Sequence, residues 1–214
     1  MTQNLCADTV HPSGRQQLLE AALLTVAERG AKGATVRMIA ERAGVTPGLV
    51  VHHFATKERL LAEVDDLVAQ QFTDAMTVPE DVTDEADALS VVAEQLSALI
   101  GSDTSLRAYL RRAIVDATLA GSRFLQHLID LTVASLRGLR SSESSLSSQE
   151  IRWQAVQIIS INLAATLLEP ILRDLGPEDP FTPREVQKRT AANVGFIARA
   201  LGVAWPPRSA GRDD

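Results

Sequence analysis

A chain of 214 residues, 45% hydrophobic and 22% charged, is long enough to bury one large core or two small ones and has the make-up of an ordinary soluble globular protein, which disfavours disordered, collagen-like and membrane classes. Its single cysteine, Cys6, allows no internal disulfide, and its most apolar stretch, 158–168, is interrupted by Ser160, Asn162 and Thr166 and is shorter than the roughly 18 residues of a membrane span. The net charge of −6 is unevenly spread: residues 1–60 hold seven Lys/Arg against five Asp/Glu and the remainder fourteen against twenty-two, so a mildly basic N-terminal unit on an acidic body would be steered toward a nucleic-acid backbone. Residues 1–14 lack the basic start and apolar run of a secretory signal, and the expectation is a cytoplasmic protein whose mature chain starts here.

Nearly every segment carries the 3.6-residue apolar period between helix start and stop signals, and no period-2 run flanked by hairpin turns occurs, so the predicted fold is all-α. Ser13 caps a first helix with Leu18, Leu19, Ala22, Leu23, Val26 and Ala27 on one face, which stops at Gly30. Thr35 caps a short second helix with Val36, Ile39 and Ala40 inward, ending at Gly44, and Thr46 caps a third with Pro47 at its favoured first position. A fourth starts at Thr56 and passes Leu60, Leu61, Val64 and Leu67 to about Phe72; the polar stretch 77–84, with Pro79, reads as a loop and domain boundary. Helices are then expected near 84–100, 103–120 and 122–140, separated at Gly101 and Gly121. A serine-rich connector over 141–148 reads as a flexible solvated link, followed by a long helix over 150–175, kinked at Pro170 and ended by Gly176-Pro177. The last helix starts at Thr182-Pro183-Arg184-Glu185, which combines an N-cap, a first-turn proline and a capping-box glutamate, and ends near Gly202.

Function is concentrated in the window 35–57, TVRMIAERAGVTPGLVVHHFATK, where two short capped helices meet at a tight turn over Ala43, Gly44 and Val45. That is helix-turn-helix spacing, with a plain helical hairpin as the structural alternative. Gly44 supplies the left-handed conformation of the turn, Ile39 and Val45 plug the angle between the helices, and the second helix presents its N-terminal end outward, as entry into a major groove requires. His52, His53 and Lys57 lie where the chain would graze neighbouring phosphates. A metal site at His52 and His53 fails on geometry, because adjacent helical residues point about 100° apart and no further ligand is near; phosphate contact and core hydrogen bonding stay open for both.

Residues 13–61 resemble the DNA-binding domain of the TetR family of regulators, on Ala27-Glu28-Arg29-Gly30, the run from Thr35 to Gly48, and His53-Phe54-Ala55-Thr56-Lys57. The resemblance implies an N-terminal three-helix helix-turn-helix domain over 13–60, its motif at about 35–54, and a larger helical effector-binding and dimerisation domain over 61–203, with 1–12 and 204–214 flexible. It implies DNA contacts from Thr35 and Arg37 on the first helix of the motif, from Thr46, Pro47, Gly48, Leu49, Val51, His52 and His53 on the second, and from Lys57 on a phosphate. Many members carry two aromatic residues where this chain has Val51 and His52 and a basic one in place of Pro47, so base reading is expected to lean on Arg37, Thr46, thymine-methyl contacts and His52.

Beyond residue 61 the resemblance is architectural: in this family two C-terminal helices form a dimeric four-helix bundle. The long helix here is apolar nearly all round (Val156, Ile158, Ile159, Ile161, Leu163 and beyond), and the last adds Ala191, Ala192, Gly195 and Ala198 for close approach. Family members bind a small effector, for which Asn162, Thr166, Tyr109 and Asp116 are the candidates; Glu169 and Arg173 continue the same polar stripe, with a solvated edge and an ordinary four-residue ion pair as the alternative. No cofactor and no metal is expected. Neither a glycine-rich phosphate loop nor an H-E-x-x-H motif occurs, and histidines stand only at 11, 52, 53 and 127, which excludes the familiar catalytic constellations. The expected function is a sequence-specific DNA-binding regulator, a homodimeric repressor released from its operator by a small-molecule effector. The rival is a helical ligand-binding or interaction module with little operator affinity.

Overall fold

The computed structural model describes residues 13–115, 119–138, 146–176 and 179–203; Asp116, residues 141–145 of the serine-rich connector and the two terminal segments expected to be flexible lie outside them. Ten helices and no strand occur among the described residues: α1 Gly14–Gly33, α2 Val36–Arg42, α3 Pro47–Phe54, α4 Lys57–Ala75, α5 Glu85–Ser102, α6 Thr104–Val115, α7 Leu119–Gly138, α8 Ser148–Leu167, α9 Glu169–Leu175 and α10 Pro183–Leu201. The all-α expectation holds. Side-chain caps set most starts: the hydroxyls of Ser13, Thr35 and Thr56 accept from the amides of Gln16, Met38 and Arg59, and the Asp84 carboxylate takes both Ala86 and Asp87. Gly30, at φ 72°, leaves helical geometry inside α1, so regular winding stops where the glycine allows it.

The structure departs from the local signals at two glycines and one capping box, and bears out the break expected near Pro170. Gly101 and Gly121 lie inside α5 and α7 rather than between helices. At Gly101 what matters is space, since a Cβ there would meet Val186 of α10 at 3.3 Å. The long helix expected over 150–175 is two, bent by 58° at Leu168, and Pro170 sits in the first turn of α9 where its missing N–H breaks no bond. Finally, the complete capping box belongs to Ser147 and Glu150, in the stretch read as a solvated link; at α10 only Thr182 caps, while Glu185 binds Lys188 instead.

One apolar core runs from Leu18 in α1 through α2, α3, α4, α6 and α7 to Leu163 in α8. α1 packs across α6 and against α4 and α2, and α5 lies antiparallel to α10, with Ser97 facing Thr190 and Gly101 facing Val186. α4 crosses from one half to the other: Leu60, Val64, Val68 and Phe72 are all buried on one stripe, so the core shows no gap at 60/61.

Glu169 is the electrostatic centre of that body. It is 4% exposed and receives Arg107 Nε at 3.2 Å, Arg111 at 3.2 Å and Arg173 at 2.9 Å. Arg107, itself 2% exposed, also donates to the carbonyls of Ile100 and Gly101 at 2.7 and 2.9 Å and lies 4.0 Å over the Phe181 ring. Burial alone would raise the Glu169 carboxyl, but the hydrogen bonds and charges of Arg107 and Arg173 outweigh it and hold it below the usual range. The cluster ties α6 to the end of α5 and to the bend between α8 and α9.

Candidate nucleic-acid interface and ligand cavity

The turn between α2 and α3 is closed by Gly44 N on Glu41 O and Val45 N on Ala40 O, with Gly44 at φ 69°, the left-handed conformation a side chain resists. Ile39, Val50 and Phe54 are buried beneath it. Thr35, Arg37, Thr46, Pro47, Gly48, Val51, His52 and His53 are all exposed on the outside of α2 and α3. Val51 is 57% exposed, an unusual position for a valine unless an apolar partner meets it. Thr35 uses its hydroxyl as a cap, whereas Thr46, expected to cap α3, makes no side-chain cap bond there. Both imidazoles point to solvent, with ring centroids 5.3 Å apart, rather than into the core. Arg15, Arg59 and Arg42 are paired with Glu63, Glu63 and Glu28. Arg37 makes no ion pair among the described residues.

Two of the candidate contacts face inward. Leu49 is half-buried at the edge of the core, with its Cδ2 against Gly14 at the start of α1. Lys57 donates from Nζ to Ala31 O and Ala34 O, at 3.0 and 2.9 Å, locking the irregular end of α1 to the start of α4 and leaving one of its three donors for a phosphate. Between α3 and α4, Ala55 stands at φ 60°, ψ −47°, with Thr56 N on Phe54 O at 2.6 Å, a γ-turn of the rare, strained hand. Strain of about 1–3 kcal/mol there outweighs the entropy of about 0.4–1 kcal/mol that a glycine adds to the unfolded chain. Ala55→Gly is therefore expected to stabilise the protein by about 1 kcal/mol in denaturant titration; a loss of stability would show the turn to be relaxed.

The second site is a cavity of about 510 Å³ enclosed by α5 and α10, with Phe72 and Met76 of α4, Leu128 and Thr132 of α7 and Ile159 and Leu163 of α8 on its other walls. Its lining runs along nearly the whole of α5, from Asp84 to Gly101, and of α10, from Val186 to Leu201, so it is elongated. Of the sequence candidates among the described residues only Asn162 lines it, donating to Ile158 O and accepting from Asn193 Nδ2. Tyr109 instead donates to Asp65, joining α6 to α4. Burial raises the Asp65 carboxyl, an effect eased by that hydrogen bond, and burial beside Asp65 raises the Tyr109 hydroxyl. Thr166 is fully buried away from the cavity. What sequence reading missed is the polar stripe of α10, Arg189, Thr190 and Asn193, and Ser97 opposite on α5. The signal was present in the spacing of Val186, Arg189/Thr190, Asn193 and Ile197, one face of a helix.

Among the described residues no group of His, Cys, Asp and Glu could hold a metal ion, and no single helix is long and apolar enough to cross a membrane. An exposed helix-turn-helix rigidly joined to a helical body with a ligand-sized apolar cavity is the plan of a one-component transcriptional regulator. Residues 18–64 match the family model described as bacterial regulatory proteins, tetR family. The regulator PksA of Bacillus subtilis is 41% identical over 64 residues, which span 30% of this chain and 31% of PksA. BetI of Cronobacter sakazakii is 27% identical over 92% of this chain and 95% of its own. In structure, the fatty acid degradation regulator FadR of Bacillus halodurans superposes with a TM-score of 0.65 at 20% identity, over 92% of this chain and 99% of FadR, which is a likeness of fold. Residues 18–64 thus form a DNA-binding domain of the tetR family type, on a chain that shares the fold of TetR-like regulators.

Proposed function

We propose that this regulator is a cytoplasmic homodimer that represses by occupying a two-fold operator and is released when a small molecule enters the α5–α10 cavity. The carrying observation is the outer face of α2 and α3, where Arg37, Thr46, Val51, His52 and His53 are exposed together above a buried Ile39, Val50 and Phe54. Arg37 and the histidines suit phosphates and base edges, and Pro47 with Val51 suits thymine methyl groups. Lys57 reaches a phosphate with its remaining donor. The DNA-binding unit spans 13–60 and the body that holds effector and dimer contacts spans 61–203. Dimerisation through α8 to α10 is supported by large apolar side chains left in solvent there, Trp153, Ile171, Leu175 and Phe196, of which Leu175 is 77% exposed.

Fluorescence-anisotropy titration of the purified protein against DNA flanking its own gene and a shuffled control, at two salt concentrations, tests this. The expected result is preference for the native fragment with affinity that falls steeply as salt rises. Arg37→Ala and His53→Ala are each expected to weaken it about tenfold without altering the thermal melt. Equal, weak binding of both fragments, with no preferred site from randomised DNA, would instead mean a helical ligand-binding module with little operator affinity.

A further inference from the structure

We infer that the cavity takes an elongated, mainly apolar ligand ending in a single anionic group, seated at the end of the cavity where Arg189 stands; this rests on the effector-binding reading above. The polarity of the lining sets the orientation. Its ionisable members are Asp84 and Glu85 at the N-terminal end of α5 and Arg189 at the opposite end, beside Val186 and Gly101. The apolar residues between them, among them Leu89, Val92, Leu96, Val194 and Ile197, offer an aliphatic chain a continuous wall. An anion is repelled from one end and attracted to the other.

Arg189 is a cation without an anion. Of its five N–H donors one bonds Pro180 O at 2.8 Å, and its guanidinium lies 4.9 Å from the Phe181 centroid; no carboxylate pairs with it among the described residues. The nearby acids are taken: Glu169 by Arg107, Arg111 and Arg173, Asp179 by Arg173, and Glu185 by Lys188. Burial, and then the charge of Arg107, depress the basicity of Arg189, and the charge of Glu185 one turn away opposes them only in part. One helical turn along α10, Asn193 presents an amide to the same cavity, while Thr190 gives its hydroxyl hydrogen to Val186 O and Ser97 gives its own to Thr190. A fork of guanidinium donors with an amide one turn away matches a carboxylate or phosphate head bidentately, and the neutral lining beyond it has nothing to offer a second charge.

The test is calorimetric titration of the full-length protein with decanoate, decyl phosphate and decanol, all below their aggregation limits, repeated on Arg189→Met, Arg189→Lys and Asn193→Asp. One or both anions are expected to bind the wild type at least about tenfold more tightly than decanol, the difference between the two naming the head group. In Arg189→Met that preference disappears while decanol affinity stays within about threefold; Arg189→Lys restores part of it. Asn193→Asp, which leaves the Phe181 stack intact, lowers anion affinity and spares decanol, and keeps the inference open to refutation if Arg189→Met fails to fold. Decanol binding as tightly as the anions, an anion preference that survives Arg189→Met or Asn193→Asp, or no binding of any of the three overturns it. Operator titration of the same samples separates the two readings: intact operator binding without anion binding removes the ligand class alone, and anion binding without operator binding removes the repressor reading.

Discussion

Glu169→Ala is expected to destabilise the protein by about 3–5 kcal/mol, the usual consequence of leaving a buried charge without its partner. Arg107 is 2% exposed and cannot reach water, and Arg111 and Arg173 lose the same acceptor. For a chain of this length the melting temperature should fall by about 10 °C. The effect has a pH signature. Because the folded carboxyl sits below its ordinary value, its stabilising contribution is fully present above the unfolded value of about 4.3 and is lost as pH falls through the folded value. Urea titrations at a series of pH values should therefore show wild type and Glu169→Ala converging in acid and separating toward neutrality. A neutral-pH difference under about 1 kcal/mol would mean that the arginines relax to solvent. The consequence extends beyond stability, since Arg107 holds the Ile100 and Gly101 carbonyls at one end of the cavity while its helix, α6, packs against α1, which in turn packs on α2.

Phe54→Ala should be comparably damaging, at about 3–5 kcal/mol, and should abolish operator binding at any ligand concentration. The second helix of the motif, α3, is eight residues long and has only Val50 and Phe54 fully inside, with Leu49 half-buried. Phe54 also carries the Arg15 guanidinium 5.4 Å from its ring centroid, and the strained turn at Ala55 follows it directly. Without that ring α3 keeps its cap position and its exposed face but loses the contact that fixes its angle to α1 and α4. Size and circular dichroism should report a folded body, and anisotropy no operator complex; retained operator affinity would show that α2 and the Lys57 lock suffice to orient α3.

These two residues differ in how far the sequence announced them. Phe54 belongs to a phrase, His53-Phe54-Ala55-Thr56-Lys57, that marked the motif, and the caps at Ser13, Thr35 and Thr56 and the turn at Gly44 were all readable, because each rests on interactions within four residues along the chain. Glu169 was legible only as one half of an ordinary pair with Arg173; that pair exists, but its burial and its long-range partners Arg107 and Arg111, about 60 positions away, were not visible. The two carbonyl acceptors of Lys57, Ala31 and Ala34, were hidden for the same reason: they stand 26 and 23 positions earlier, at the end of α1.

The ligand cavity shows the division most clearly. Tyr109, Asn162 and Thr166 were chosen as polar residues on apolar helices, and polarity alone does not tell a residue that lines a cavity from one that meets a partner, as Tyr109 meets Asp65, or is sealed in the core, as Thr166 is. Local hydrogen bonds and the 3.6-residue apolar period are properties of consecutive residues, so the chain's own order was enough to specify an all-α fold, nine helical segments with their turns and stripes, and the helix-turn-helix. Which faces enclose empty space and which arginine is left without a carboxylate depend on pairings between α5 and α10 and between α6 and the α8–α9 bend, and those exist only once the helices have packed.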